Sequence, residues 1–185
     1  MVYILLGAGF EEAEALVTAD VLRRAEVETV LAGIGGELIA GAHGIAVKAD
    51  VPVESVTLKE GDMVVLPGGL GGVASIEGSA AAMALIRQAG TDVRLRLAAI
   101  CAAPTLLARA RLLAPGVRAV CYPGMERELI EAGAVPAMDQ SVVVQGRLIT
   151  GRGPGAAFDF ALALAQELVG TDAAQRVRAG LCWQL

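Results

Sequence analysis

Apolar residues follow two rhythms along this chain. Runs of strand length, Val2 to Leu6, Glu28 to Ala32, Met63 to Leu66 and the stretch leading into Ile100, are almost unbroken. Between them lie amphipathic segments at helical spacing, Glu11 to Ala25 and Ser79 to Ala89, the second opening on a serine cap. Strands apolar on both sides are expected where helices cover both faces of a sheet. The pattern therefore predicts an α/β sandwich with a mainly parallel sheet.

The rhythm pauses between Gly33 and Val53, where Glu37 to Ile39 and Ile45 to Lys48 predict an edge hairpin. Pro67 to Gly72 reads as a glycine-rich turn. Further on, Val117 to Cys121 predicts a short strand, Glu126 to Ala132 a helix, and Ser141 to Thr150 a hairpin turning at Gln145-Gly146. Gly153-Pro154-Gly155 opens a helix through Val169, and Asp172 to Ala179 is a last short helix. No repeat, low-complexity segment or linker intervenes, so a single domain over residues 1–185 is expected.

Composition narrows the function classes. With 55% hydrophobic and 3% aromatic residues, the core is built from Ala, Val, Leu and Ile. A formal charge of −5 carries no basic footprint, which argues against nucleic acid or a membrane surface as partner and favours a small-molecule substrate. Three cysteines, with no Cys-x-x-Cys, imply neither a disulfide framework nor a metal site and point to a reducing cytoplasm. The N-terminal apolar run meets a glycine after six residues, too short for a signal or spanning segment.

The candidate chemistry centres on Leu97 to Leu107, where an apolar strand runs into Cys101 and Pro104 follows in the first turn of a helix. A thiol at such an elbow sits near unpaired helix N–H groups, which favour a thiolate. In an open α/β sheet, the loop before Glu11, the Pro67 to Gly72 turn and this elbow converge at the carboxyl ends of the strands. Glu14 shares a helix face with Phe10, Val17 and Val21, so burial is expected to raise its pKa and let it donate to the thiol or a substrate oxygen. Glu11 and Glu12 read more simply as acids complementing the helix dipole. The Pro67-Gly68-Gly69 turn and the Ala102 N–H offer donors to an oxyanion, and no phosphate-loop spacing is present. The single histidine, His43, lies on the edge hairpin with no obvious Cys-His pairing. Tyr122 is placed to face the Cys101 pocket, while Cys121 and Cys182 read as packing residues.

Taken together, Phe10-Glu11-Glu12-Ala13-Glu14, Leu66-Pro67-Gly68-Gly69, Ala98 to Pro104 and Arg152-Gly153-Pro154-Gly155 resemble the ThiJ/PfpI superfamily, in the branch of the human parkinsonism-associated deglycase and bacterial YajL. The resemblance runs nearly end to end. It implies a flavodoxin-like sandwich, usually homodimeric and without cofactor. It further implies that Cys101 is the elbow cysteine, Glu14 a protonated acid touching its sulfur, and Gly69 and Ala102 the oxyanion donors, with Arg24 at the place of a pocket arginine. Two positions depart from the pattern. Ala102 stands where peptidase-like members have a histidine, which argues against a peptidase or amidase. Tyr122 stands where glyoxalase and deglycase members often have a histidine, and a tyrosine of normal pKa is a poor general base. His43 falls on the hairpin that approaches the partner's pocket in family dimers. The implied activity is a cofactor-independent glyoxalase or deglycase acting on methylglyoxal, glyoxal or their adducts. The alternative is a redox sensor or chaperone in which Cys101 is oxidised to a sulfinate held by Glu14.

Overall fold

Seven strands form the central sheet in the order β10-β11-β7-β6-β1-β2-β5, in a computed structural model that describes residues 1–183; the last two residues of the expected domain lie outside the described ones. In chain order the elements are β1 (Val2–Leu6), α1 (Glu12–Arg24), β2 (Thr29–Gly33), β3 (Leu38–Ala40), β4 (Ala46–Lys48), β5 (Val51–Pro52), β6 (Met63–Leu66), α2 (Leu70–Gly78) and α3 (Ala80–Thr91). They continue with β7 (Arg96–Ile100), α4 (Ala103–Arg109), β8 (Arg118–Ala119), α5 (Glu126–Glu131), β9 (Val135–Pro136), β10 (Val142–Gln145), β11 (Leu148–Gly151), α6 (Ala157–Val169) and α7 (Thr171–Gly180). Every pairing in the central sheet is parallel except β10 with β11. This is the flavodoxin-like α/β fold expected from the sequence.

The unbroken apolar runs are explained by two half-cores. Along β1, Tyr3 and Leu5 face one side with Val64, Leu66, Leu97 and Ala99, against residues of α2, α3 and α4. Val2, Ile4 and Leu6 face the other with Met63, Val65, Ala98 and Ile100, against Ala15, Ala19 and Leu22 of α1 and Phe160 and Leu164 of α6. Successive strand side chains point to opposite faces, so only a strand apolar at every position feeds both layers. Ser79 caps α3 by accepting the Ala82 N–H at 3.2 Å, as its position before the apolar run indicated.

Three local expectations are corrected. The hairpin of β3 and β4 is a separate antiparallel pair, and the sheet edge beside β2 is β5. The hairpin instead docks on the loop after β1, where the Gly9 N–H donates to the Ala40 carbonyl and the Ala42 N–H to the Phe10 carbonyl, both at 2.8 Å. Second, the glycine-rich turn is shorter than expected, because α2 begins at Leu70. Gly72 sits inside that helix, and a Cβ there would lie 2.6 Å from Phe10 Cα, so its missing side chain is what allows the close approach. Third, the strand expected over Val117 to Cys121 is only β8, which pairs with β9 apart from the central sheet. At the end of that stretch the Val120 N–H donates to the buried side-chain Oγ1 of Thr150 on β11 rather than to a backbone carbonyl.

Candidate active site

β7 ends at Ile100, α4 begins at Ala103, and Cys101 makes the turn between them with φ at +66°. A side chain costs energy in that left-handed region, so the surroundings must hold it. They do so on both sides of the residue: the Cys101 N–H donates to the Gly151 carbonyl at 2.9 Å, and the Tyr122 N–H donates to the Cys101 carbonyl at 2.8 Å. The Thr105 hydroxyl ties down the next turn by donating to the Ala102 carbonyl at 2.8 Å. Pro104 lies in the first turn, where its missing N–H costs nothing.

Two backbone N–H groups, those of Ala102 and Gly69, hydrogen-bond the Cys101 sulfur. Gly69 reaches it because its own φ of +85° folds the turn after β6 over the loop before α1, where the Glu11 N–H donates to the Gly68 carbonyl at 2.9 Å. Glu14 comes to the same place from the first turns of α1. Its Oε2 accepts the Gly68 N–H at 2.6 Å, its carboxyl hydrogen-bonds the Cys101 thiol, and Oε1 is buried without a partner among the described residues. A buried carboxyl with one backbone donor is poorly equipped to carry charge. Burial accordingly pushes Glu14 up to about 7, against the bonds from Gly68 and Cys101 and with a small contribution from the charge of Glu11.

The thiol differs from the sequence expectation of a lowered pKa. Burial pushes Cys101 up to about 12, the charge and hydrogen bond of Glu14 add to the rise, and the N–H groups of Ala102 and Gly69 offset only part of it. The N–H donors of the elbow are present but are outweighed, first by burial and then by Glu14. The two groups compete for one negative charge and titrate as a pair. A thiolate here requires Glu14 to hold the proton.

The remaining expected residues divide. Tyr122 stands beside the elbow through its backbone bond, but its ring lies over Gly153 and lines a shallow pocket of about 340 Å³ with Pro123, Ser141, Arg152 and Pro154. Arg24 is not brought to the site. It ends α1, ten residues beyond Glu14 and so about 15 Å further along the helix, and its guanidinium pairs with Asp20 at 2.8 Å. Cys121 is fully buried, with its thiol pushed up to about 12 chiefly by burial, and Cys182 is exposed.

His43 does have a partner, and it is Glu12, which sequence reasoning had treated as a dipole acid. The buried Glu12 carboxylate accepts the backbone N–H of His43 at 2.7 Å and of Ile45 at 3.2 Å, and its Oε2 lies 2.9 Å from His43 Nδ1. Burial opposes its ionisation, yet these bonds prevail and hold it down at about 2. The available signal was Gly41 in Gly-Ala-His-Gly: a Cβ there would overlap the Glu12 carboxyl. Glu11, Glu12 and His43 also place one ligand atom each within 4.8 Å of one another. Glu12 is already satisfied by N–H donors, so the arrangement is explained without a cation. No helix among the described residues is long and apolar enough to cross a membrane.

The model of the DJ-1/PfpI family matches residues 1–167. Protein dj-1beta of Drosophila melanogaster is 40% identical over 179 residues, covering 96% of this chain and 94% of the fly protein. The crystal structure of Drosophila melanogaster DJ-1beta superposes with a TM-score of 0.91 at 38% identity, covering 100% of this chain and 98% of the other. A Caenorhabditis elegans protein named glutathione-independent glyoxalase DJR-1.2 is 33% identical over 172 residues, covering 93% of this chain and 90% of its own.

Proposed function

The chain belongs to the DJ-1/PfpI family, in its DJ-1 branch, and from that premise we propose that it is a cofactor-independent glyoxalase acting through Cys101 on methylglyoxal or glyoxal, with the amine adducts of these aldehydes as related substrates. The observation that carries the reading is the convergence of one carboxyl and two N–H groups on a single sulfur. A relative named as a glyoxalase supports the substrate class.

Each group has a task in that chemistry. As Sγ attacks the aldehyde carbon, the thiol proton passes to the Glu14 carboxylate, which near neutral pH is poised to accept it because its pKa is about 7. The aldehyde oxygen gains negative charge as the S–C bond forms, and the N–H groups of Gly69 and Ala102 are the donors aimed there. Return of the proton from Glu14 to that oxygen completes a hemithioacetal. Moving the proton on its carbon to the adjacent carbon converts it to a thioester of a 2-hydroxy acid, and water then releases lactate from methylglyoxal, or glycolate from glyoxal, and restores the thiol. Redox balance is internal, since one carbon is oxidised as its neighbour is reduced. Tyr122 serves as a wall of the neighbouring pocket.

Lactate formation from methylglyoxal by the purified protein, compared with Cys101→Ser, tests the reading. Product above the variant's background supports it, and equal traces overturn it. The same donors would also hold a cysteine sulfinate, which is the observation favouring a redox-sensing role. Sulfinate at Cys101 after mild peroxide, in a protein that makes no lactate, would favour that second reading. The proposal includes a homodimer, for which the exposed apolar Leu38 and Ile45 of the hairpin offer a contact surface.

A further inference from the structure

The rearrangement proposed above needs a group that takes a proton from one carbon and returns it to the next, and Glu14 is committed to the thiol and its oxygen. We propose that His43, oriented by the buried carboxylate of Glu12, is that group. This rests on the glyoxalase reading and names a second catalytic residue for it.

His43 is the chain's single histidine. Glu12 Oε1 is engaged by the N–H groups of His43 and Ile45, and Oε2 lies 2.9 Å from Nδ1. A carboxylate in that position holds the proton of the neutral ring on Nδ1 and leaves Nε2 as the basic nitrogen. Nε2 has no hydrogen-bond partner among the described residues, and the side chain is 67% exposed. The arrangement is the carboxylate-imidazole half of a nucleophile triad, with the carboxylate fixing the ring and the far nitrogen doing the proton transfer.

The pair sits on the loop after β1, which is bonded to the turn beside the elbow. The loop carrying His43 is bonded to Gly9 and Phe10 through Ala40 and Ala42, and the next residue, Glu11, donates its N–H to the Gly68 carbonyl. A Cβ on Gly68 would lie 3.0 Å from Cys101 Sγ, so one residue separates the loop's anchor from the sulfur. Two titratable groups face the imidazole: Glu12, and Glu11, whose Oε1 is 3.7 Å from Nδ1. The bond to Glu12 and both charges raise the pKa of His43 above its ordinary 6.5.

In the step itself Nε2 accepts the proton on the sulfur-bearing carbon, and that C–H pair becomes the double bond of an enediol. The neighbouring carbonyl oxygen takes up the negative charge, and the Glu14 carboxylate passes to it the proton of the hydroxyl on the sulfur-bearing carbon. The imidazolium then returns its proton to the adjacent carbon as the thioester carbonyl forms. Both residues end as they began.

The test is the pH profile of kcat and kcat/KM for methylglyoxal in the full-length protein, with His43→Gln, Glu12→Gln and a Cys101→Ser background. A base is active when neutral, and Glu14 must be ionised to take the thiol proton, so the wild-type rate should rise with pH through two ionisations, that of Glu14 at about 7 and that of His43 above 6.5. His43→Gln keeps the backbone N–H that Glu12 binds. It should leave the Glu14 ionisation alone in the profile and lose about 10²-fold in kcat with KM little changed, while iodoacetamide alkylation of Cys101 stays as in wild type. Glu12→Gln should keep both ionisations but move that of His43 to lower pH, because the charges that raise His43 are reduced. Wild-type kcat and a pH profile identical to wild type in His43→Gln would overturn this proposal alone. A wild-type protein no better than Cys101→Ser would overturn the glyoxalase reading and this one with it.

Discussion

Cys101 and Glu14, 87 positions apart in the chain, meet across the bare backbone of Gly68. A Cβ on that glycine would fall 2.5 Å from Cys101 Cβ and 2.7 Å from Glu14 Oε2. The contact between acid and thiol therefore depends on a residue with no side chain.

Gly68→Ala should separate the pair. Real Cβ atoms do not approach at these distances, so either the elbow or the Glu14 carboxyl must shift, at a cost of about 1–3 kcal/mol for overpacking a tight site. Methylglyoxal turnover should fall at least tenfold, since a displacement of about 1 Å at a reacting group costs rates of that order or more. Steady-state kinetics alongside thermal melting would show both effects, and unchanged kinetics would mean that the acid and thiol act independently.

Glu14→Gln should move the thiol in the direction opposite to that expected of a simple donor. The Glu14 charge is one of the causes holding Cys101 up near 12, so the neutral amide should shift the pH midpoint of iodoacetamide alkylation downwards. Catalysis should nonetheless fall, because Gln accepts no proton from the thiol. An alkylation midpoint equal to that of wild type would remove Glu14 from the site.

Stability should carry the same signature. Glu14 titrates at about 7 when folded against 4.5 as an ordinary glutamate, so the folded state holds the extra proton in that window. Wild-type stability is then lost as pH rises from about 4.5 to about 7. Glu14→Gln does not titrate, so its stability relative to wild type should increase across that range in denaturant unfolding at a series of pH values.

Glu12 should behave with the reverse sign. Its pKa of about 2 lies below the ordinary 4.5, so its contribution is present above pH 4.5 and is lost as pH falls towards 2. The loop from Gly41 to Ile45 should loosen first, since Glu12 holds the His43 and Ile45 amides. Hydrogen-exchange protection at those two amides, relative to the intrinsic rate at each pH, should fall on acidification, and in Glu12→Gln it should already be low at neutral pH.

Self-association should be visible as a dimer mass in light scattering at micromolar concentration, and charged substitutions at Leu38 and Ile45 should weaken it, because both are exposed apolar side chains on one hairpin. A monomer mass for the wild-type protein would refute the dimer.

Much of this molecule was legible in one dimension because its signals are local. Unbroken apolar runs identified strands buried on both faces, Ser79 marked the start of α3, and the strand-Cys-Pro sequence marked the elbow at Cys101. The spacing of Glu14 with Phe10 and Val21 showed that it would be buried, since helix periodicity alone decides which face an apolar stripe covers. What spacing does not contain is the partner on the other side of a contact. Only the fold put the Gly69 and Ala102 N–H groups on one sulfur, showed that burial and Glu14 outweigh them in setting the thiol's pKa, and left Arg24 at the distant end of α1. Only the docking of β3 and β4 on the loop after β1 turned Glu12 from a first-turn acid into the carboxylate that holds His43. Burial and periodicity are properties of a segment and can be read along it. Hydrogen bonds and charge balance between segments are set by which chain ends the parallel sheet brings together, and those exist only once it has formed.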